Sequence, residues 1–129
     1  MNIVQPRDEE EQRLLKRYID SFNDHDFDAV RAMLADEVRL DLVSRVKLSG
    51  QAAVGEYFHN YEQARDWHLA LGTVEQRPSI LVYGDREHLS QPAYFMLLTW
   101  EDGRVALIRD YRYVPYVTYG AEMEEIEPC

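Results

Sequence analysis

The stretch that most constrains the fold is residues 103–114, which read GRVALIRDYRYV. It opens with four consecutive apolar residues, 105–108, as is typical of a strand covered on both faces. Charged residues then enter without ending the β-prone pattern. With the two-residue period of a strand, Ile108, Asp110 and Arg112 share one face. A carboxylate and a guanidinium on a face that begins apolar predict a polar patch inside a mostly apolar cavity.

A second apolar stretch, PAYFMLLTW at residues 92–100, comes just before it. The turn signal at residues 101–103, EDG, predicts that the two stretches form a β-hairpin. PAYFMLLTW has no alternation of apolar and polar residues, so both of its faces need a cover. Helices can cover one face, and a second copy of the sheet is the simplest cover for the other. We therefore expect a homodimer that associates through its sheet.

The rest of the chain divides into a helical part and a strand part. Helical spacing of apolar residues predicts a first helix over residues 8–23, and Asp26 is a suitable N-cap for a short second helix. A third helix is expected after residues 49–50, with two short strands near 38–42 and 46–48 before it. From residue 66 the period becomes that of strands, predicted at 67–74, 79–83, 93–100 and 104–114.

This order of elements predicts a single α+β domain over residues 1–129. Three N-terminal helices are expected to pack on one face of a curved, mostly antiparallel sheet. Residues 1–7 and 121–129 are expected to be flexible, because the first segment lacks a periodic pattern and the second is short and acidic.

Composition excludes several classes of function. A formal charge of −10 disfavours direct binding to nucleic acid or to an anionic membrane. No apolar run is long enough to span a bilayer, and the N-terminus lacks the layout of a signal peptide, so we expect a cytoplasmic protein. The single cysteine, Cys129, excludes an internal disulfide. No cofactor is expected.

A metal site is the alternative interpretation of the acidic turn at residues 24–28. Asp24, His25, Asp26 and Asp28 are potential ligands, but no second group of ligands stands at metal spacing. The turn is better explained as a solvated connection between two helices, and no metal is expected.

Three segments carry a family resemblance: RYIDSFNDHDFDAVRAMLADEVRLDL, GQAAVGEYFHNY and DGRVALIRDYRYV. Together they resemble the SnoaL-like branch of the nuclear transport factor 2-like superfamily. More narrowly, RLDLVSR, AVGEYF and IRDYRYVPYV resemble the SnoaL-like accessory domain of some extracytoplasmic-function sigma factors. The resemblance implies a cone, in which helices wrap a curved sheet around a pocket, and a dimer.

The superfamily includes ketosteroid isomerases, and Tyr18 resembles their oxyanion-donating tyrosine on the first helix. The position of their catalytic base falls on Leu42, and the neighbouring Asp41 points to the opposite face. A leucine cannot abstract a proton, so isomerase activity of that kind is not expected. The alternative for Tyr18 is a tyrosine of the core.

Asp110 and Arg112 resemble the carboxylate–guanidinium arrangement of limonene epoxide hydrolases in the same superfamily. That mechanism also needs a second carboxylate, and the strand candidate, Asp41, is expected to face outward. With Tyr18, these two residues are the candidate catalytic residues. Two other interpretations remain open: anchoring of a ligand, or a structural ion pair at the sheet end or a dimer contact.

Aromatic residues complete the candidate site. Tyr57, Tyr61, Trp67 and Trp100 could line a pocket for a small apolar or aromatic ligand, together with Tyr18, Asp110 and Arg112, or could be ordinary core. We expect a small-ligand-binding or regulatory domain without turnover, in the manner of a sigma-factor accessory domain. The alternatives are an enzyme of the polyketide cyclase or epoxide hydrolase kind, which leaves catalysis undecided, and a dimerisation or partner-docking module.

Overall fold

The structure, a computed structural model, describes residues 6–63, 67–84, 92–114 and 120–125, with side chains from residue 9 onward. Within these ranges there are three helices: α1 (Pro6–Asn23), α2 (Phe27–Ala32) and α3 (Gln51–Gln63). Their buried residues recur at helical spacing, and the Asp26 carboxylate caps α2 by accepting the amide of Ala29 at 3.2 Å. The expected cap and helical stripes are confirmed. α1 begins at Pro6, so residues 6–7 of the segment expected to be flexible are helical, and residues 1–5 lie outside the described residues.

The strands are β1 (Leu34–Leu42), β2 (Val46–Ser49), β3 (His68–Val74), β4 (Arg77–Tyr83), β5 (Tyr94–Glu101), β6 (Arg104–Asp110) and β7 (Met123–Glu125). They form one sheet in the order β2-β1-β6-β5-β4-β3-β7. Among these described strands, only β1 and β6 pair in parallel; the other pairings are antiparallel. The expected α+β cone is confirmed, with the helices on one face of the sheet, here called the inner face.

A β-bulge in β6 decides which face Asp110 occupies. Trp100 is paired with Val105 but Thr99 is paired with Leu107, so Ala106 is an extra residue in β6. Val105 and Ile108 are both fully buried in the inner core, although they are three residues apart. Without the bulge, the two-residue period that places Val105 inside would turn Asp110 to the outer face.

β6 ends at Asp110, four residues earlier than expected. The Asp110 carboxylate accepts the backbone amide of Arg112 at 2.9 Å, and the amide of Val114 donates to the carbonyl of Tyr111 at 3.1 Å. An aspartate that binds the amide two residues on favours a turn over a strand. The expected strand over 104–114 is therefore wrong beyond Asp110.

The outer face of the sheet carries a second apolar cluster, made of Ala70, Val74, Leu81, Tyr83 and Phe95. Part of its cover comes from this same chain, since Tyr111, Ala121 and Met123 pack against it. β7, which lies within the tail expected to be flexible, pairs with β3, and residues 126–129 lie outside the described residues.

β7 lies close against β3 at one small residue. A Cβ added to Gly72 would come within 2.6 Å of both the carbonyl oxygen of Glu124 and a methyl carbon of Leu81. Contacts that short would force the backbone apart, so only glycine fits at this position.

Among the described helices, none has the combination of length and hydropathy needed to cross a membrane.

Candidate functional site

The inner face holds a buried carboxylate, that of Asp110, whose side chain has no exposed surface. Its Oδ2 accepts hydrogen bonds from the hydroxyl of Tyr57 at 2.5 Å and from the hydroxyl of Tyr61 at 2.8 Å. Its Oδ1 accepts the backbone amide of Arg112. A buried carboxylate needs such donors, since an unpaired one would cost several kcal/mol. We call Asp110, Tyr57 and Tyr61 the carboxylate cluster.

Local structure explains why these side chains meet. Tyr57 and Tyr61 are four residues apart on α3, and so they lie one above the other on the face that packs against the sheet. Asp110 lies at the end of β6 and is paired with Met96 of β5 and Leu42 of β1. α3 therefore supplies the donors, and the sheet supplies the acceptor.

The hydrogen bonds continue from the cluster toward the surface. The hydroxyls of Tyr61 and Tyr94 lie 2.8 Å apart, and Tyr94 at the start of β5 is partly exposed. Trp67 packs edge-on against the ring of Tyr61, and its indole N–H donates to the carbonyl oxygen of Tyr61 at 3.1 Å. We call the end of the sheet marked by Trp67, Tyr94 and Arg112 the mouth of the cone.

Burial sets the protonation of the cluster. Burial raises the pKa of Asp110, and the hydrogen bonds from Tyr57, Tyr61 and the amide of Arg112 offset only part of that rise. Burial, and after it the charge of Asp110, raises the pKa of the Tyr57 and Tyr61 hydroxyls well above the usual value. Both tyrosines are thus neutral donors at any physiological pH, and the acceptor beside them holds a proton more readily than an exposed aspartate.

Tyr18 of α1 is fully buried, and its ring packs against Phe22 and Phe58. Within the described part of the chain its hydroxyl has no hydrogen-bond partner. Burial and then the charge of Asp110 raise the pKa of Tyr18, so its hydroxyl is near the cluster and stays protonated. A buried hydroxyl without a partner costs about 1–3 kcal/mol of stability.

Arg112 does not join the cluster as an ion pair. Its side chain is exposed, and its guanidinium carbon lies 5.7 Å from the ring centre of Tyr61. None of the ion pairs within the described ranges joins it to Asp110. Asp110 and Arg112 thus do not form the expected ion pair within the described ranges, because the chain turns after Asp110 and the two-residue period no longer applies.

The second strand carboxylate, Asp41, lies on the outer face as the sequence predicts. It is opposite Arg109 in the parallel pairing of β1 and β6, and its Oδ2 lies 3.9 Å from Nε of Arg109. Leu42 packs against the inner core on the face of Asp110. The carboxylate pair that an epoxide hydrolase needs is therefore not assembled from these two strands.

Trp100 lies away from the other aromatic candidates. It is paired with Val105, whereas Asp110 is paired with Met96, roughly 13 Å further along β5. Its indole N–H is buried without a partner among the described residues, beside an open cavity lined by Glu10, Leu14 and Arg77. The structure thus brings together Tyr57, Tyr61, Trp67 and Asp110, and places Trp100 elsewhere.

Sequence reasoning missed two contributors to the site. Tyr94 extends the hydrogen bonds of the cluster, and the side-chain amide of Asn23 binds both the amide and the carbonyl of Leu69, which joins the end of α1 to β3. The period of two on β5, which groups Tyr94 with Met96 and Leu98, is the signal in the sequence that could have indicated Tyr94.

In the part of the chain that is described, no group of three His, Cys, Asp or Glu residues could hold a metal ion.

Comparison with solved structures shows the fold. The chain is similar to an NTF2-like protein of unknown function from Mesorhizobium loti, with 17% identity, 83% of this chain and 93% of that chain covered, and a TM-score of 0.62. It is similar to an LEH-like epoxide hydrolase from M. tuberculosis, at 16% identity, 81% and 84% coverage and a TM-score of 0.56.

A third similar structure is the epoxide hydrolase/cyclase-like enzyme SalBIII of pyran ring formation in polyether salinomycin. Identity is 19%, coverage is 80% of this chain and 91% of that chain, and the TM-score is 0.57. No protein-family model and no curated protein sequence matches the chain. The nuclear transport factor 2-like fold implied by the sequence resemblance, which SnoaL-like domains share, is confirmed.

Proposed function

We propose that this protein binds a small, mostly apolar organic molecule inside the cone, with the carboxylate cluster as the polar end of the site, and that it does not convert this molecule. The observation that supports the proposal is the fully buried carboxylate of Asp110 near the buried hydroxyl of Tyr18, which has no partner among the described residues. An ionised carboxylate has about four acceptor positions, and Tyr57, Tyr61 and the amide of Arg112 use three. A ligand hydroxyl can donate to the fourth and accept from Tyr18.

The surroundings favour an aromatic ligand body. The ring of Phe22 lies at the centre of a group of aromatic side chains, with centroids 4.9–6.0 Å from those of its neighbours Tyr18, Phe27, Phe58, Tyr61 and Trp67. In this proposal the ligand body packs against this group of rings, while a few polar groups orient it. Tyr94, partly exposed and bonded to Tyr61, is the contact a ligand meets first at the mouth.

Binding without turnover is favoured because the expected catalytic pair does not form. Arg112 is exposed, Asp41 lies 3.9 Å from Arg109 on the other face, and Leu42 stands where the sequence resemblance places an isomerase base. The acid beside the site is already held by three donors, as a positioning group would be.

The test uses 2-naphthol, a flat apolar molecule with one hydroxyl, and naphthalene as its matched control. We expect 2-naphthol to bind saturably, one per protomer, about tenfold more tightly than naphthalene, because a hydrogen bond to a charged group contributes about 1.5–3 kcal/mol. In Tyr18→Phe, which removes the hydrogen bond that the ligand hydroxyl accepts but keeps the one it donates to Asp110, the preference should become clearly smaller. An absence of saturable 2-naphthol binding, or an unchanged preference in Tyr18→Phe, would contradict the proposal.

The second candidate is an enzyme of the epoxide hydrolase or cyclase kind. The observation in its favour is that burial raises the pKa of Asp110, as suits a proton-transferring acid. The names of two of the similar structures point the same way. Incubation with styrene oxide in ¹⁸O-labelled water tests it: diol formed above background and lost in Asp110→Asn would establish turnover and replace the first proposal.

A homodimer through the sheet and a regulatory role like that of a sigma-factor accessory domain remain proposals. The dimer is supported by the outer apolar cluster, beside which Phe95, Leu97, Tyr111 and Ala121 line an open groove. Light scattering at micromolar concentration tests the dimer, and a mass of 15.2 kDa, that of one chain, would contradict it.

A further inference from the structure

Two guanidinium groups converge on one exposed ring beside the mouth of the cone. The guanidinium carbon of Arg45 lies 4.7 Å from the ring centre of Tyr113, and that of Arg112 lies 5.9 Å from the same centre. Arg112 also lies over the ring of Tyr61, which is bonded to Asp110. A continuous series thus runs from the buried carboxylate through Tyr61 and Arg112 to the exposed Tyr113 and Arg45.

The backbone holds both arginines in place. The turn after β1 is fixed by the amide of Val43, which donates to the carbonyl of Asp110 at 3.1 Å, and by the amide of Arg45, which donates to the carbonyl of Leu42 at 2.8 Å. The turn after β6 is fixed by the Asp110 carboxylate on the amide of Arg112. The two turns are tied to each other through Asp110, so the spacing of the arginines depends on the same residue that anchors the site.

Within the described ranges these two arginines have no ion-pair partner, although the charge of Asp110 acts on Arg112. Among the ion pairs that the structure describes, Arg13, Lys16, Arg31 and Arg109 have acidic partners, and neither Arg45 nor Arg112 does. Both side chains are exposed, in a chain whose formal charge is −10. Stacking on a tyrosine leaves the N–H groups of a guanidinium free to bind an anion in its plane.

We propose that the ligand carries a carboxylate, which Arg45 and Arg112 bind at the rim while the body of the ligand enters the cone. The inference rests on the proposed ligand site and adds the chemical class of the ligand: an apolar or aromatic carboxylic acid. Arginine binds carboxylates through two parallel hydrogen bonds, which fixes orientation as well as affinity. The carboxylate cluster and the rim arginines then contact opposite ends of one molecule.

The experiment compares 6-hydroxy-2-naphthoate with its methyl ester, which has nearly the same shape and no charge. We expect the acid to bind wild type at least tenfold more tightly than the ester, and 0.5 M NaCl to reduce this preference. Arg45→Gln and Arg112→Gln should each remove most of the preference. Arg109→Gln, on the outer face beside Asp41, is the matched control and should retain it.

Equal affinity for acid and ester, or tighter binding of the ester, would overturn this inference. A preference for the acid that is unchanged in both Arg45→Gln and Arg112→Gln would also overturn it. Binding of 2-naphthol without binding of 6-hydroxy-2-naphthoate or its ester would overturn it as well. Failure of 2-naphthol itself contradicts the proposed function instead. Preferential binding of the acid without 2-naphthol binding would support carboxylate binding by Arg45 and Arg112, and it would contradict the carboxylate cluster as the polar end of the site.

Discussion

Asp41 and Asp110 lie on adjacent strands but on opposite faces of the sheet, and their surroundings differ. Asp41 on the outer face has a 25% exposed side chain and an arginine at 3.9 Å, whereas Asp110 on the inner face has no exposed surface and is held by neutral hydroxyls. The outer contact is an ordinary half-exposed ion pair, of little energetic weight. The inner carboxylate keeps its charge only at a cost in desolvation, which makes it the group that can respond to a ligand.

The largest difference is expected when each carboxylate becomes an amide. Asp110→Asn replaces the acceptor of three hydrogen bonds and turns an N–H₂ group toward a donor, so it should lower the free energy of unfolding by about 2–3 kcal/mol. Asp41→Asn should cost less than about 1 kcal/mol. Urea unfolding of the two variants measures both values, and equal costs would remove the distinction between the faces.

The next effect concerns the packing of the outer face. Gly72→Ala places a methyl group 2.6 Å from the carbonyl of Glu124, so β7 must move away and stability should fall by about 1–3 kcal/mol. Gly84→Ala is the control, since its added Cβ would meet Ala93 at an ordinary 3.7 Å. Hydrogen exchange at Met123–Glu125 should increase in the first variant only; unchanged protection there would contradict the close contact of β7 with β3.

The tyrosine hydroxyls of the inner face should differ in how much each contributes to stability. Tyr57→Phe removes a hydrogen bond to Asp110 and is expected to cost about 1–2 kcal/mol of stability. Tyr18→Phe removes a hydroxyl that has no partner among the described residues, so it should be neutral or slightly stabilising. Thermal unfolding of the two variants gives the comparison. A cost for Tyr18→Phe as large as that for Tyr57→Phe would show that Tyr18 has a structural partner.

The smallest effect is a pH dependence. The pKa of Asp110 is raised above its ordinary value of 3.8, so between these two values the folded state binds more protons than the unfolded state. The contribution of Asp110 to stability is therefore present at low pH and is lost as the pH rises through its folded pKa. The cost of Asp110→Asn should be larger at pH 4 than at pH 7, and the reverse order would contradict a raised pKa.

How much the sequence predicts depends on the range of the interactions involved. Helical spacing, the cap at Asp26 and the hairpin at residues 101–103 follow from local patterns, and the structure confirms them. The position of Asp110 on the inner face follows from Ile108, two residues earlier. Val105 lies on the same face but is an odd number of residues from Asp110, so a bulge at Ala106 is needed, and the local pattern does not reveal it. β7 is missed because three residues of an acidic segment form a strand only against β3, about fifty residues earlier.

In the site, too, features that depend on local pattern are predictable and features that depend on contacts distant in the sequence are not. Tyr57 and Tyr61 are predictable because their spacing places them on one face of α3. The separation of Asp110 from Arg112 is not, because the Asp110 side chain itself ends the strand on which the prediction relies. The role of Tyr94 depends on a contact between two elements thirty-three residues apart, so it appears only in the folded chain.

The central claim, that the inner face binds a ligand through its polar cluster, is tested most directly by NMR of tyrosine hydroxyl-bearing carbons. With ¹³C at Cζ of every tyrosine and assignments from tyrosine-to-phenylalanine variants, saturation with 2-naphthol should shift Tyr18 and Tyr94. Tyr83 is the internal control, because it lies on the outer face and donates to Glu125 at 2.8 Å. Shifts at Tyr18 and Tyr94 with Tyr83 unchanged are the predicted result; a shift at Tyr83 without one at Tyr18 would contradict the claim.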